Sequence, residues 1–149
     1  MSSSVGFARR LTAAITVTAF VGCSTVTRLE GSTPGTTLAI KGMSRTDLPR
    51  TEDLASKATG QHKFMAATPD GKKLYGILPL HVNVPAIVLS ILFFAPALLG
   101  GFRDTFPFYQ VDPENGVIRY KDKEADQWKQ YRPLEAEGAR SKASFDAPK

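Results

Sequence analysis

The chain has 149 residues, 19 Lys and Arg against 14 Asp and Glu, and one cysteine. That length fits one small domain, and the lone cysteine excludes a disulfide within the chain. The net charge of +5 is spread among acids, as in Arg119 to Glu124 and Arg132 to Arg140, rather than gathered into the stripe that contacts nucleic acid.

At the N-terminus, Arg9 and Arg10 precede an uncharged stretch from Leu11 to Val21, then Gly22 and Cys23. A basic segment, an apolar segment of this length and a small residue before the cut are the parts of a secretory signal. The four residues Phe20-Val21-Gly22-Cys23 resemble the lipobox of bacterial lipoproteins. The resemblance implies that the Cys23 sulfur receives a diacylglyceryl group, that a peptidase cuts before it, and that the freed amine takes a fatty acid such as palmitate. Residues 1–22 are then the signal peptide, and removing Arg9 and Arg10 lowers the net charge from +5 to +3. Acylation also removes a thiol that would be a liability in an oxidising compartment. Under the same resemblance Ser24, where an aspartate would retain the protein in the inner membrane, points to the outer membrane.

Residues 23–35, rich in Ser, Thr and Gly, read as a flexible tether. A small β-rich domain is expected over 36–132. Thr36 to Lys41 alternates, is β-prone and is closed by Gly42. Thr51 ahead of Glu52, Asp53 and Leu54 predicts a short helix ending before Gly60. His62 to Thr68 and Lys72 to Leu80 are β-prone runs around Pro69-Asp70-Gly71. Proline presets one turn dihedral and glycine accepts a positive one, so a hairpin is expected there. A second hairpin is expected around Asp112 to Gly116, with Trp128 and Tyr131 extending the meander. Residues 133–149 are poor in apolar side chains and read as a disordered tail. The fold class is therefore α+β, mainly β, with one apolar helical segment at about 85–102.

That segment lies in a run from Val82 to Phe102 with no charge. Val84 to Phe102 is long enough to approach a bilayer core as a helix, at about 1.5 Å per residue. Pro96 removes a backbone donor deep inside it, and Gly100-Gly101 follows. The run reads either as buried core or subunit interface, available for self-association or other envelope proteins, or as membrane-inserted.

No candidate catalytic constellation emerges. His62 and His81 are two ligands at most, too few for zinc. Asp112, Glu114 and Asn115 lack the alternating spacing and distal glutamate of a calcium loop. No serine stands in a Gly-x-Ser-x-Gly elbow. No metal, cofactor or catalytic residue is assigned, and an enzyme is not expected. Two segments, Ser32 to Gly42 and Gly100-Gly101-Phe102 through Tyr109-Gln110-Val111-Asp112-Pro113, are similar to small envelope lipoproteins with a PEGA-type β-domain, which implies a binding or scaffolding role. The leading expectation is an outer-membrane, periplasm-facing lipoprotein, bound to lipid through Cys23 and serving a structural, binding or accessory role. The alternatives are a single-pass inner-membrane subunit, with 84–102 spanning and a cytoplasmic C-terminal part compatible with Arg103, Arg119, Lys121 and Lys123, and an envelope enzyme.

Overall fold

The computed structural model describes residues 24–57, 60–82 and 102–147. The signal segment, Cys23 and nearly all of the apolar run lie outside the described residues. In chain order the elements are β1 (Ser24–Gly31), β2 (Thr37–Ile40), β3 (Thr46–Asp47), β4 (Arg50–Ala55), β5 (Lys63–Ala67), β6 (Lys73–Ile77), β7 (Leu80–Val82), β8 (Arg103–Thr105), β9 (Phe108–Asp112), β10 (Val117–Lys121), β11 (Lys129–Tyr131) and α1 (Glu135–Asp146). They form a small α+β domain that is mostly strand, as the composition and turns predict.

One sheet has the order β11-β10-β9-β1-β4, a second β3-β2-β5-β6, and β7 pairs with β8 alone. The inward faces of the two larger sheets meet in one core. Leu29, Leu54, Tyr109 and Ile118 come from the first sheet, and Leu38, Ile40, Phe64 and Ala66 from the second. Strand alternation delivers them, since residues two apart share a face. Both expected hairpins form, β5–β6 around Pro69 to Gly71 and β9–β10 around Asp112 to Gly116.

Three expectations need correction. Residues 23–35 are not a flexible tether, because from Ser24 the chain is a central strand. β1 pairs antiparallel with β4 on one side and parallel with β9 on the other. Its apolar residues hid it: Leu29 is buried while Val26, three positions earlier, is exposed on the opposite face. The inward place between them belongs to Thr27, whose hydroxyl meets Thr105 Oγ1 at 2.9 Å and donates to the Phe106 carbonyl at 3.2 Å. The pattern therefore never shows a clean period of two.

The segment from Thr51 is likewise not a helix but β4, the edge of the first sheet. Only Leu54 is buried, and Arg50 meets Glu52 in a 2.6 Å ion pair. A charged edge discourages pairing with another chain, and the charges of Arg50, Glu52 and Asp53 made the segment read as a solvated helix.

Residues 133–149 are not a disordered tail, since α1 packs against β6 and β5. The helix has no apolar stripe and docks through small residues. Ser141, fully buried, donates from Oγ to the Phe64 carbonyl at 2.9 Å, and a Cβ at Gly138 would lie 3.3 Å from the Tyr75 carbonyl oxygen. At its start the Glu137 carboxylate accepts from the Leu134 N–H at 3.0 Å and from the Tyr131 hydroxyl. The Phe145 ring packs 6.4 Å from that of Tyr75.

The single-pass alternative, with 84–102 spanning, rests on residues that lie almost wholly outside the described ones. Val82 pairs with Arg103, and β1 pairs with β9, so strands before and after the apolar run build one body. Among the described residues no helix is long and apolar enough to cross a membrane.

Gly71 holds φ at +86° in the β5–β6 turn. Gly71→Val should lower stability by roughly 1–3 kcal/mol, the cost of forcing a β-branched residue into that region. Urea denaturation measures it, and an unchanged midpoint would remove the turn from the stability argument.

Candidate functional site

The parallel register Arg28↔Phe108 to Gly31↔Val111 makes β1 and β9 run the same way, which gives the domain two distinct ends. At the far end three turns gather. Thr33 Oγ1 donates to Glu114 at 2.9 Å, and a Cβ at Gly35 would lie 2.9 Å from Pro69 Cγ. The sequence-singled residues Asp112, Glu114 and Asn115 are here, and they build the turn. Asp112 accepts from the Asn115 backbone N–H at 3.1 Å and its side-chain amide at 2.8 Å. Burial pushes the Asp112 carboxyl up, but the bonds from Asn115 and the Ser32 hydroxyl, with the Arg119 charge, outweigh it and hold the group below the usual carboxylate range.

At the near end stand Ser24, the first described residue, and the strands that flank the uncharged run. Ser24 pairs with Ala55. Two residues beyond Ala55, Lys57 and Arg103 exchange backbone N–H···O bonds of 2.9 and 3.2 Å. Arg103 pairs in turn with Val82. At strand spacings of about 4.8 Å these steps set Ser24 and Val82 roughly 15–20 Å apart at most. The rim is finished by side chains: Arg103 donates to the Gly60 carbonyl at 2.8 Å, the Ser56 hydroxyl engages Asp104, and Val82 is half exposed. Beside it lies a cleft of about 260 Å³ bordered by Gln61, Leu80, Arg103 and Glu137.

Tyr109 holds this end together. Its fully buried ring sits in the core while its hydroxyl donates to the Pro79 carbonyl and accepts from the Phe106 N–H at 3.0 Å. One oxygen thus fastens the residue before β7 to the residue after β8. Burial raises the phenol well above its ordinary value, so it stays a neutral donor. The sequence marks Tyr109 as an aromatic strand residue and carries no local sign of this clasp, whose partners lie 30 and 3 positions away.

The two histidines have separate roles. His62 is buried just ahead of β5, its Nε2 2.9 Å from the Ala55 carbonyl, so the neutral ring donates there. His81, on β7, packs its ring 5.6 Å from that of Phe106. Among the described residues no three His, Cys, Asp or Glu side chains gather closely enough to hold a metal ion. On another face Lys121 Nζ lies 4.7 Å from the Trp128 ring centre and 5.3 Å from that of Phe108.

No family model matches the chain, and comparison with curated proteins and with solved structures returned no match.

Tyr109→Phe keeps the ring and leaves the Pro79 carbonyl and Phe106 N–H without their shared partner. It should cost about 1–3 kcal/mol, the penalty for unmade buried hydrogen bonds. Thermal denaturation beside wild type measures it, and equal midpoints would mean that the clasp contributes nothing.

His62 gives a pH signature. Burial lowers its pKa below 6.5, the bond to Ala55 opposes that, and the Lys57 charge adds to it. The unfolded chain therefore takes up the proton first as pH falls. The stability from the neutral ring is complete above about 6.5 and declines as pH drops toward the depressed value. In urea titrations at pH 7.5 and 5.5, wild type should lose more stability than His62→Gln. Parallel losses would show that His62 is not the titrating group.

Proposed function

We propose that the protein is an acylated bacterial envelope lipoprotein, anchored through Cys23, whose domain serves a binding or structural role rather than catalysis. The observation that carries this reading is the order of Arg9-Arg10, the uncharged stretch Leu11 to Val21, and Phe20-Val21-Gly22-Cys23. Ser24, the next residue, is already paired in β1. Acyl chains at Cys23 would thus be one residue from the folded body and would hold its near end close to the lipid. Two such chains anchor stably, each buried methylene contributing about 0.8 kcal/mol. Ser24 in place of an aspartate favours the outer membrane, facing the periplasm, as in the lipoproteins whose signal this one resembles. The two segments similar to PEGA-type lipoproteins, Ser32 to Gly42 and the Tyr109-Gln110-Val111-Asp112-Pro113 ending, favour a β-domain used for contact with other envelope components.

Growth with labelled palmitate tests the anchor. Wild-type protein should carry the label and fractionate with the outer membrane, and Cys23→Ala should carry none. Equal label on both proteins would overturn the reading.

A further inference from the structure

The cleft of about 260 Å³ beside the near end is bordered by two opposite charges, Arg103 and Glu137. The ion pairs among the described residues are Arg28–Glu30, Arg50–Glu52, Arg119–Asp112 and Lys129–Asp122, and they include neither. A guanidinium and a carboxylate on one cleft that do not pair with each other suit a ligand bearing both complementary charges. We propose that this cleft binds a small zwitterion, an α-amino acid or a dipeptide, with its carboxylate on Arg103 and its ammonium on Glu137. The site goes beyond the acyl anchor and stands whether or not Cys23 carries lipid.

Both charged groups are held in place with bonding capacity to spare. Arg103 opens β8, where its backbone exchanges bonds with Lys57 and pairs with Val82. Its guanidinium donates to the Gly60 carbonyl at 2.8 Å, which uses one of several N–H donors. Glu137 lies in the first turn of α1, where the Leu134 N–H and the Tyr131 hydroxyl both bond to Oε2. Among the described residues its Oε1 takes no hydrogen bond. The rest of the wall is apolar and rigid. Ile77 ends β6 opposite Lys63, and the N–H of buried Leu78 donates to the His62 carbonyl at 2.9 Å. Half-buried Leu80 adds to the wall, and exposed Gln61 offers an amide at the rim. Groups positioned before binding cost little to order when the ligand arrives.

Size and charge select the ligand. The volume falls under the roughly 300–1,000 Å³ of pockets that take drug-sized molecules, so the occupant is small. Charge-assisted hydrogen bonds are roughly twice as strong as neutral ones, and a zwitterion makes them at both groups. A molecule with one charge satisfies one group and leaves the other without its partner. The aliphatic wall suits a short apolar side chain such as that of alanine.

Nuclear magnetic resonance titration tests this on the full-length, isotope-labelled protein in a nonionic detergent. Alanine and alanyl-alanine are the probes, one for a free amino acid and one for a peptide. The N-acetyl form of each lacks the ammonium, and the amide form lacks the carboxylate. Saturable shifts are expected at the Gln61, Leu80, Arg103 and Glu137 amides, with the blocked forms binding at least about tenfold more weakly. The tighter of the two probes identifies the source of the zwitterion. Glu137→Gln keeps an oxygen for the Leu134 N–H. It should weaken the zwitterion by a similar factor and leave the affinity of the N-acetyl form unchanged. Arg103→Gln should do the same with the amide form. Unchanged amide spectra away from the cleft verify that each variant folds, and the blocked ligands test the wild-type protein with no variant at all. No saturable shift with either probe, shifts confined to another face, or equal affinity for the blocked forms would overturn the site.

Discussion

The parallel pairing of β1 with β9 is the contact on which the remainder of the domain depends. It joins Arg28 to Phe108 and Gly31 to Val111, closing a loop of about 80 residues. The entropic cost of closure grows only with the logarithm of loop length, and the ladder is flanked by burial. Leu29, Tyr109 and Val111 are all in the core, and the Arg28 N–H donates to the Pro107 carbonyl at 2.8 Å. Without this ladder, the β1–β4 pair and the β9–β11 meander would be two separate ribbons. Because the ladder is parallel, it also gives the domain its two unlike ends.

Polar groups at this contact are satisfied rather than excluded. Thr27 and Thr105 share a hydroxyl bond in the interior, and the Tyr109 oxygen joins Pro79 to Phe106. Leaving any of these unpaired would cost more than the bonds return when made. Such a network therefore specifies which strands meet, while the hydrophobic residues around it provide the larger share of stability. Among the described residues every buried side-chain nitrogen and oxygen has a partner.

The two ends differ in chemistry. One gathers compact turns rich in Gly, Pro and Asp, tied by the Asp112 and Thr33 bonds. The other brings Ser24 beside the strands that flank the uncharged run, bordered by Lys57 and Arg103. On the lipoprotein reading, the end that holds Ser24 would be the one nearer the membrane.

By itself the sequence determined what depends on neighbours in the chain. Both hairpins were legible because Pro69-Asp70-Gly71 and Asp112 to Gly116 carry their own turn chemistry, and β2 because Thr36 to Lys41 alternates. The lipobox order and the uncharged run are likewise local patterns, as is the resemblance that motivates an anchor at Cys23. Tertiary structure decided what depends on distant partners. β1 looked like linker because its inward threonine is satisfied by Thr105, 78 positions away. β4 looked like a capped helix because an edge strand exposes its charges. α1 looked disordered because it docks by the close approach of Gly138 and Ser141 instead of an apolar stripe. The meeting of Ser24, Lys57, Val82 and Arg103 at one end belongs to the same class, since strand register alone brings residues so far apart in the chain to one edge.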